Sequence, residues 1–291
     1  MVEKLAIDPE RMIGRIRQLG QIGRDDRGRL CRLAGSPQDK LGRDQLVAWM
    51  REAGLLVEID QLGNIFGILQ GEGQDYRWDA LMLGSHIDTV IDAGIYDGCY
   101  GVLAALEVVQ SIRESGFHRQ RPVIVAAFTN EEGVRFQPNM MGSLVHAGGL
   151  ILETALAAPD RDGLSLGESL TAIGYAGEMP VGTIRPAAYV ELHVEQGPIL
   201  AHEGVSIGSV DRLQGISWQR ITVHGDANHA GTTPMGLRRN AGHAATRCLI
   251  PDFNGAIFSH EWREELWVRF FTGAPRRQRQ SVERYNIVKR A

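Results

Sequence analysis

At 291 residues and 43% apolar content, the chain is long enough to bury a large core, as one large domain or two smaller ones. A formal net charge of -4 supplies no basic excess with which to hold a polyanion, which argues against nucleic acid as a partner. The opening twenty residues mix charges with apolar positions and no apolar stretch reaches membrane length, so a cytoplasmic chain with no membrane association is expected. Cys31, Cys99 and Cys248 are odd in number and far apart, which fits neither a disulfide framework nor a thiolate zinc site.

In chain order, Asp8-Pro9-Glu10 supplies a cap, a proline for the first helical position and an acid for the first turn. Met12, Ile13, Ile16 and Leu19 then repeat at helical spacing. A second helix is predicted over 39–53, stopped by Gly54. Two short apolar runs, Leu55–Ile59 and Ile65–Leu69, are parted by Gly63-Asn64 and read as a hairpin or neighbouring strands. Thereafter strand and helix alternate: Ala80–Leu83, a helix over Val102–Ser111, Val123–Phe128 and Tyr189–Leu192. That order predicts an α/β domain with a mostly parallel central sheet flanked by helices. The texture changes near Val205, a domain boundary is expected near Ser209–Gln214, GISWQRITVH (215–224) alternates like a half-exposed antiparallel strand, and Pro234 offers a helix start. The expected division is 1–210, 211–250 and an atypical 251–291.

Polar residues gather directly after the predicted strands: GSHIDT (84–89), TNEEG (129–133) and HVEQG (193–197). Ligands of open α/β sheets bind beyond the carboxyl ends of strands, so these loops form a candidate site. His86, Asp97, Glu132 and His193 mix imidazole with carboxylate and no thiolate, which suits zinc, manganese or cobalt. Asp88 stands where its carboxylate could accept the other ring N–H of His86. Asp97 could bridge two metals, and Glu131-Glu132 divides into a general base and a ligand. Each element alone has an ordinary structural explanation, as a loop hydrogen bond, a helix cap or a solvated acidic pair. Their joint occurrence at successive strand ends favours a site. In NHAGTTPM (228–235), His229 is either a surface residue of a turn or a donor to an oxyanion.

Together GSHIDT, YDGCYGVLAALEVV (96–109), FTNEEGVRF (128–136), ELHVEQGPIL (191–200) and NHAGTTPM resemble the hydantoinase/carbamoylase branch of the M20 metallopeptidase-like amidohydrolases. That branch includes N-carbamoyl-L-amino-acid hydrolase, β-ureidopropionase and allantoate amidohydrolase. The resemblance implies a metallopeptidase-like catalytic domain, two divalent metals (zinc, or manganese or cobalt), and hydrolysis of a carbamoyl or ureido C–N bond in a small acid. It further implies His86, Asp97 and His193 on one metal, Asp97 bridging, Glu132 on the second, and Glu131 as base. Gln196 and His229 would contact substrate, with His229 reaching a partner subunit's site from an α+β lid that forms a homodimer.

After Asn240 the resemblance stops, and 274–291 carries six basic residues against one acid. That composition suits a disordered tail or a shifted reading frame. The expected consequence is an incomplete lid, a weakly held second metal and no segment to bind the substrate carboxylate. The competing reading is an inactive metal-binding fragment or interaction module; within the enzyme class it is an allantoate amidohydrolase.

Overall fold

The computed structural model describes residues 5–72, 75–211, 216–219, 221–245, 268–273 and 287–290. Contacts divide the chain into two compact units, 1–198 and 199–291.

The first unit opens with α1 (Pro9–Leu19), where Asp8 accepts the Arg11 N–H and Pro9 occupies the first turn. Next, α2 (Pro37–Glu52) starts at Ser36, whose hydroxyl accepts the Asp39 N–H. Both starts follow from short polar side chains satisfying backbone donors that a helix leaves free. The two apolar runs form an antiparallel pair, β1 (Leu56–Ile59) and β2 (Ile65–Leu69). Then come β3 (Leu81–His86), α3 (Cys99–Glu114), β4 (Val123–Phe128), the short helices α4 (Met141–His146), α5 (Leu152–Leu156) and α6 (Leu166–Ile173), and β5 (Ala188–Val190).

These strands make one mixed sheet in the order β1-β2-β4-β3-β5. Pairing is antiparallel on the hairpin side and parallel among β4, β3 and β5. The pleat sorts β4 by alternation. Val123, Val125 and Ala127 join the core shared with the helices, which contains Leu19, Leu46, Met50, Val102 and Leu106. Ile124, Ala126 and Phe128 turn to the other face, where they meet Phe66, Met82 and Ile184.

Beneath this apolar frame lies a buried polar network. Arg43 of α2, 2% exposed, pairs at 2.7 Å with Asp39 and donates to the Gly63 carbonyl and the Thr129 hydroxyl. Asn64 accepts the Thr129 N–H and donates to Asp60. The residue that opens the TNEEG loop is therefore held from behind by side chains of two other elements.

The second unit contains α7 (Ile199–Glu203), β6 (Ile216–Gln219), β7 (Ile221–Asp226), a 3₁₀ turn at Met235–Leu237, β8 (Val268–Gly273) and β9 (Ile287–Arg290). The strand expected over 215–224 is instead two, and only β6 pairs antiparallel, with β9; β7 runs parallel to β8. Alternation reports which face is buried, not the direction of the partner. At Pro234 the chain makes the 3₁₀ turn rather than an α-helix, with Arg238 donating to the Thr233 and Ala230 carbonyls. Apart from β8 and β9, the atypical stretch 251–291 lies outside the described residues.

Replacing Arg43 by Met leaves the fully buried Asp39 carboxylate without its cation, and removal of one partner of such a pair costs about 3–5 kcal/mol. Arg43→Met is expected to lower the urea unfolding midpoint accordingly. A midpoint within error of wild type would show that the pair does not contribute to stability.

Candidate metal centre

Because β4, β3 and β5 run parallel, their carboxyl ends open on the same side, with His86 at the end of β3 level with Phe128 of β4. The loops that follow bring His86, Glu131, Glu132 and His193 together. Asp97 enters from the turn before α3, where Gly98 takes φ of +60°. A Cβ on Gly98 would stand 2.4 Å from three atoms of the His86 ring, so the close approach of this turn to the imidazole requires glycine.

His86 is 1% exposed. Its Nε2 stands 3.6 Å from Asp97 Oδ1 and 3.4 Å from Glu131 Oε2, and Asp97 Oδ1 is 3.2 Å from His193 Nε2. The two imidazoles stack with centroids 6.0 Å apart. Ligand-capable atoms of His86, Asp97 and His193 lie within 4.8 Å of one another, as do those of His86, Glu131 and Glu132.

Two buried atoms in this cluster have no hydrogen-bond partner, His86 Nε2 and Glu132 Oε1. A buried polar atom left unpaired costs free energy unless something else binds it. Four carboxylates, Asp88, Asp97, Glu131 and Glu132, crowd two imidazoles. Burial and mutual repulsion hold the carboxyls of Glu131 and Glu132 above their ordinary range, Glu132 to about 7. His86 is driven down by burial but up, more strongly, by Asp97, Asp88 and Glu131, and reaches about 10. His193 is pushed up to about 9, chiefly by Asp97, whose own carboxyl is held low by the two histidines. Orphaned buried donor atoms and a surplus of anionic oxygen are what a divalent cation satisfies, so these residues fit a metal.

Comparison with known proteins agrees. Residues 82–287 match the model of peptidase family M20/M25/M40. The chain belongs to that family. It is 40% identical over 247 residues to an N-carbamoyl-L-amino acid amidohydrolase of Geobacillus stearothermophilus, a match that covers 84% of this chain and 60% of the relative. It is 37% identical to a probable allantoate deiminase of Oryza sativa subsp. japonica, covering 81% of this chain and 49% of that protein. Among solved structures, an amidase of the hydantoinase/carbamoylase family from Burkholderia vietnamiensis matches with TM-score 0.84 at 35% identity, over 100% of this chain and 70% of that one. The chain thus spans about half to 60% of the length of these curated relatives.

Within this M20 chain, the four expected ligands and Glu131 come together. Gln196, at φ +54°, turns its amide onto Asp97 Oδ2. Asp88 departs from expectation: its carboxylate is 3.8 Å from His86 Nδ1, and it is the Asp88 backbone carbonyl that faces that nitrogen at 3.0 Å. The carboxylate instead accepts the N–H groups of Glu131 and Glu132, because the parallel neighbour brings two backbone donors to it. His229 belongs to the second unit and is exposed; its Nδ1 accepts the N–H groups of Gly231 and Thr232.

Sequence reading missed Glu191. It accepts the hydroxyls of Ser85 at 2.5 Å and Tyr189 at 2.7 Å, and with Glu131 it borders a cleft of about 940 Å³ lined by Met82, Phe128, Val145 and Ile184. The strand predicted over Tyr189–Leu192 hid it, since β5 ends at Val190 and Glu191 is the first residue beyond it. Asn130 was missed too: at φ +54° it donates to the Phe136 and Pro138 carbonyls and shapes the turn that presents both glutamates.

Metal binding must displace protons that the metal-free cluster holds at neutral pH, since His86, His193 and Glu132 are raised to about 10, 9 and 7. Affinity for Zn2+ is therefore expected to strengthen as pH rises from about 6 to about 8, with net proton release. Calorimetric titration in two buffers of different ionisation enthalpy measures this. Affinity that is flat with pH would place the metal elsewhere.

Proposed function

We propose that the chain is the catalytic part of a metal-dependent amidohydrolase that cleaves the linear carbamoyl or ureido C–N bond of N-carbamoyl-L-amino acids or related ureido acids. The observation that carries this reading is the buried His86 Nε2 and Glu132 Oε1, both unpartnered, beside Asp97 and His193 in a chain of the M20 family. His86, Asp97 and His193 would hold one divalent ion and Glu132, with Asp97 shared, a second. When bound, such ions polarise the scissile carbonyl and make water acidic enough to lose a proton near neutrality. Zinc is the metal this ligand set favours, with manganese and cobalt compatible.

The two adjacent glutamates have different surroundings. Glu132 has a buried oxygen with no partner, as a ligand would, whereas Glu131 borders the cleft, where substrate can reach it. Glu131 takes the proton of the attacking water and returns it to the leaving nitrogen. Its raised pKa, caused by burial, suits both transfers. Because His229 Nδ1 accepts two backbone N–H groups, the neutral ring carries its proton on Nε2. That N–H is available to stabilise the developing oxyanion. Gln196 contacts substrate once its amide leaves Asp97. Hydrolysis of an N-carbamoyl amino acid then yields the amino acid, carbon dioxide and ammonia. Assembly as a homodimer through the second unit and a cytoplasmic location complete this reading. Among the described residues, no helix is long and apolar enough to cross a membrane.

Ammonia release from N-carbamoyl-L-amino acids, compared with allantoate, tests the activity. Glu131→Gln is expected to lower kcat by about 10²–10⁴-fold while metal content stays at the wild-type value. Glu132→Gln is expected to lose metal as well as activity. If Glu131→Gln hydrolyses as fast as wild type, the base is another group. A chain that binds metal and releases no ammonia from either substrate class supports the alternative, a metal-binding module without activity.

A further inference from the structure

Arg32 is completely buried, yet its guanidinium has no carboxylate among its hydrogen-bond partners. Nε donates to the Ile87 carbonyl at 2.8 Å, one terminal nitrogen to the carbonyls of Leu19 and Ile22 at 3.0 and 2.8 Å, and the other approaches the Cys99 sulfur at 3.1 Å. The Arg32 backbone adds two bonds: its N–H donates to the Thr89 hydroxyl at 2.8 Å, and its carbonyl accepts the Thr89 N–H at 3.0 Å. Burying a permanent cation without an anionic partner is costly. Here the end of α1 offsets part of that cost, because Leu19 presents a carbonyl at the negative end of the helix dipole and Ile22, in the turn that follows, adds a second.

What the guanidinium joins is informative. Ile87 and Thr89 flank Asp88 in the loop that starts with His86, and Cys99 opens α3 two residues after Asp97. One rigid planar fork thus spans the segments carrying two of the expected ligands. The neighbouring helix makes room for it: a Cβ on Gly42 of α2 would stand 2.6 Å from the Arg32 Cδ.

We propose that Arg32 is a positioning residue that sets the metal affinity of the cluster by holding the His86-Ile87-Asp88 loop and the first turn of α3 in fixed relation. This rests on the metal reading above. It acts through geometry, since a cation behind the site would by charge alone oppose a metal ion, and removing it would then tighten binding.

The experiment uses the full chain and Co2+ as probe, with affinity from calorimetry and coordination from the visible absorption spectrum. Wild type is expected to bind Co2+. Arg32→Met is expected to bind it about 10–100-fold more weakly, with an altered absorption band, as is usual when groups supporting metal ligands are removed. Arg32→Lys keeps the charge but loses the fork, and should restore only part of the affinity. Gly42→Ala, which crowds Arg32 while improving helix propensity, should weaken binding in the same direction. Leu46→Ala, a core truncation of a side chain that makes no hydrogen bond to these segments, controls for general destabilisation and should keep the wild-type spectrum. If Arg32→Met does not fold, as judged by near-UV circular dichroism, Arg32→Lys and Gly42→Ala against Leu46→Ala decide. Affinity and spectrum equal to wild type, a loss no larger than that of Leu46→Ala, or tighter binding would each overturn the proposal. No Co2+ binding by wild type would instead overturn the metal reading, and this inference with it.

Discussion

The site depends first on Asp88. Its carboxylate is buried and accepts the backbone N–H groups of Glu131 and Glu132 at 3.1 and 3.2 Å, so the loop after β3 is tied directly to the loop after β4. Burial pushes the Asp88 carboxyl upward, and proximity to His86 and to those two N–H groups opposes that push. Without this link the turn that carries the two glutamates would be held from the β4 side alone, through Thr129 and Asn130. With it, their backbones are located relative to His86 before any side chain is considered.

Around that link, apolar and polar parts of the interior divide the labour. The sheet packs on α1, α2 and α3 through a mainly apolar core, interrupted at the helices by Arg43 with Asp39 and by Glu107 of α3, which pairs with Arg11 of α1. Behind the loops, the buried groups are charged or amide-bearing: Arg43 with Asp39, Asn64 with Asp60, and Arg32 with its carbonyls. Burial raises Asp60 to about 6 despite the hydrogen bonds it accepts from Asn64 and Leu62. Such groups are costly to bury and demand particular partners, so they specify loop geometry more sharply than aliphatic contacts do.

Much of this was legible in the sequence because periodicity and strand-end motifs report local chemistry. The helix starts at Asp8 and Ser36, the hairpin around Gly63-Asn64, and the convergence of His86, Asp97, Glu131, Glu132 and His193 all rest on residue types at short range or on parallel strand ends. What escaped was long-range pairing. That Asp88 would meet two backbone donors rather than the neighbouring imidazole depends on β4 lying beside β3. Arg32 and Arg43 look in the sequence like ordinary solvated charges, and only the fold encloses them. The parallel partner of β7 was likewise invisible, since β8 lies in a segment without recognisable texture.

The parallel arrangement of β4, β3 and β5 also governs when the centre can come into being. Parallel neighbours cannot be closed by a tight turn, and residues as distant along the chain as His86 and His193 must be brought together before any ligand set is complete. The ligand set is therefore complete only when β3, β4 and β5 are assembled, and an ion that needs the whole set stabilises that assembled state over every state in which the strands are apart.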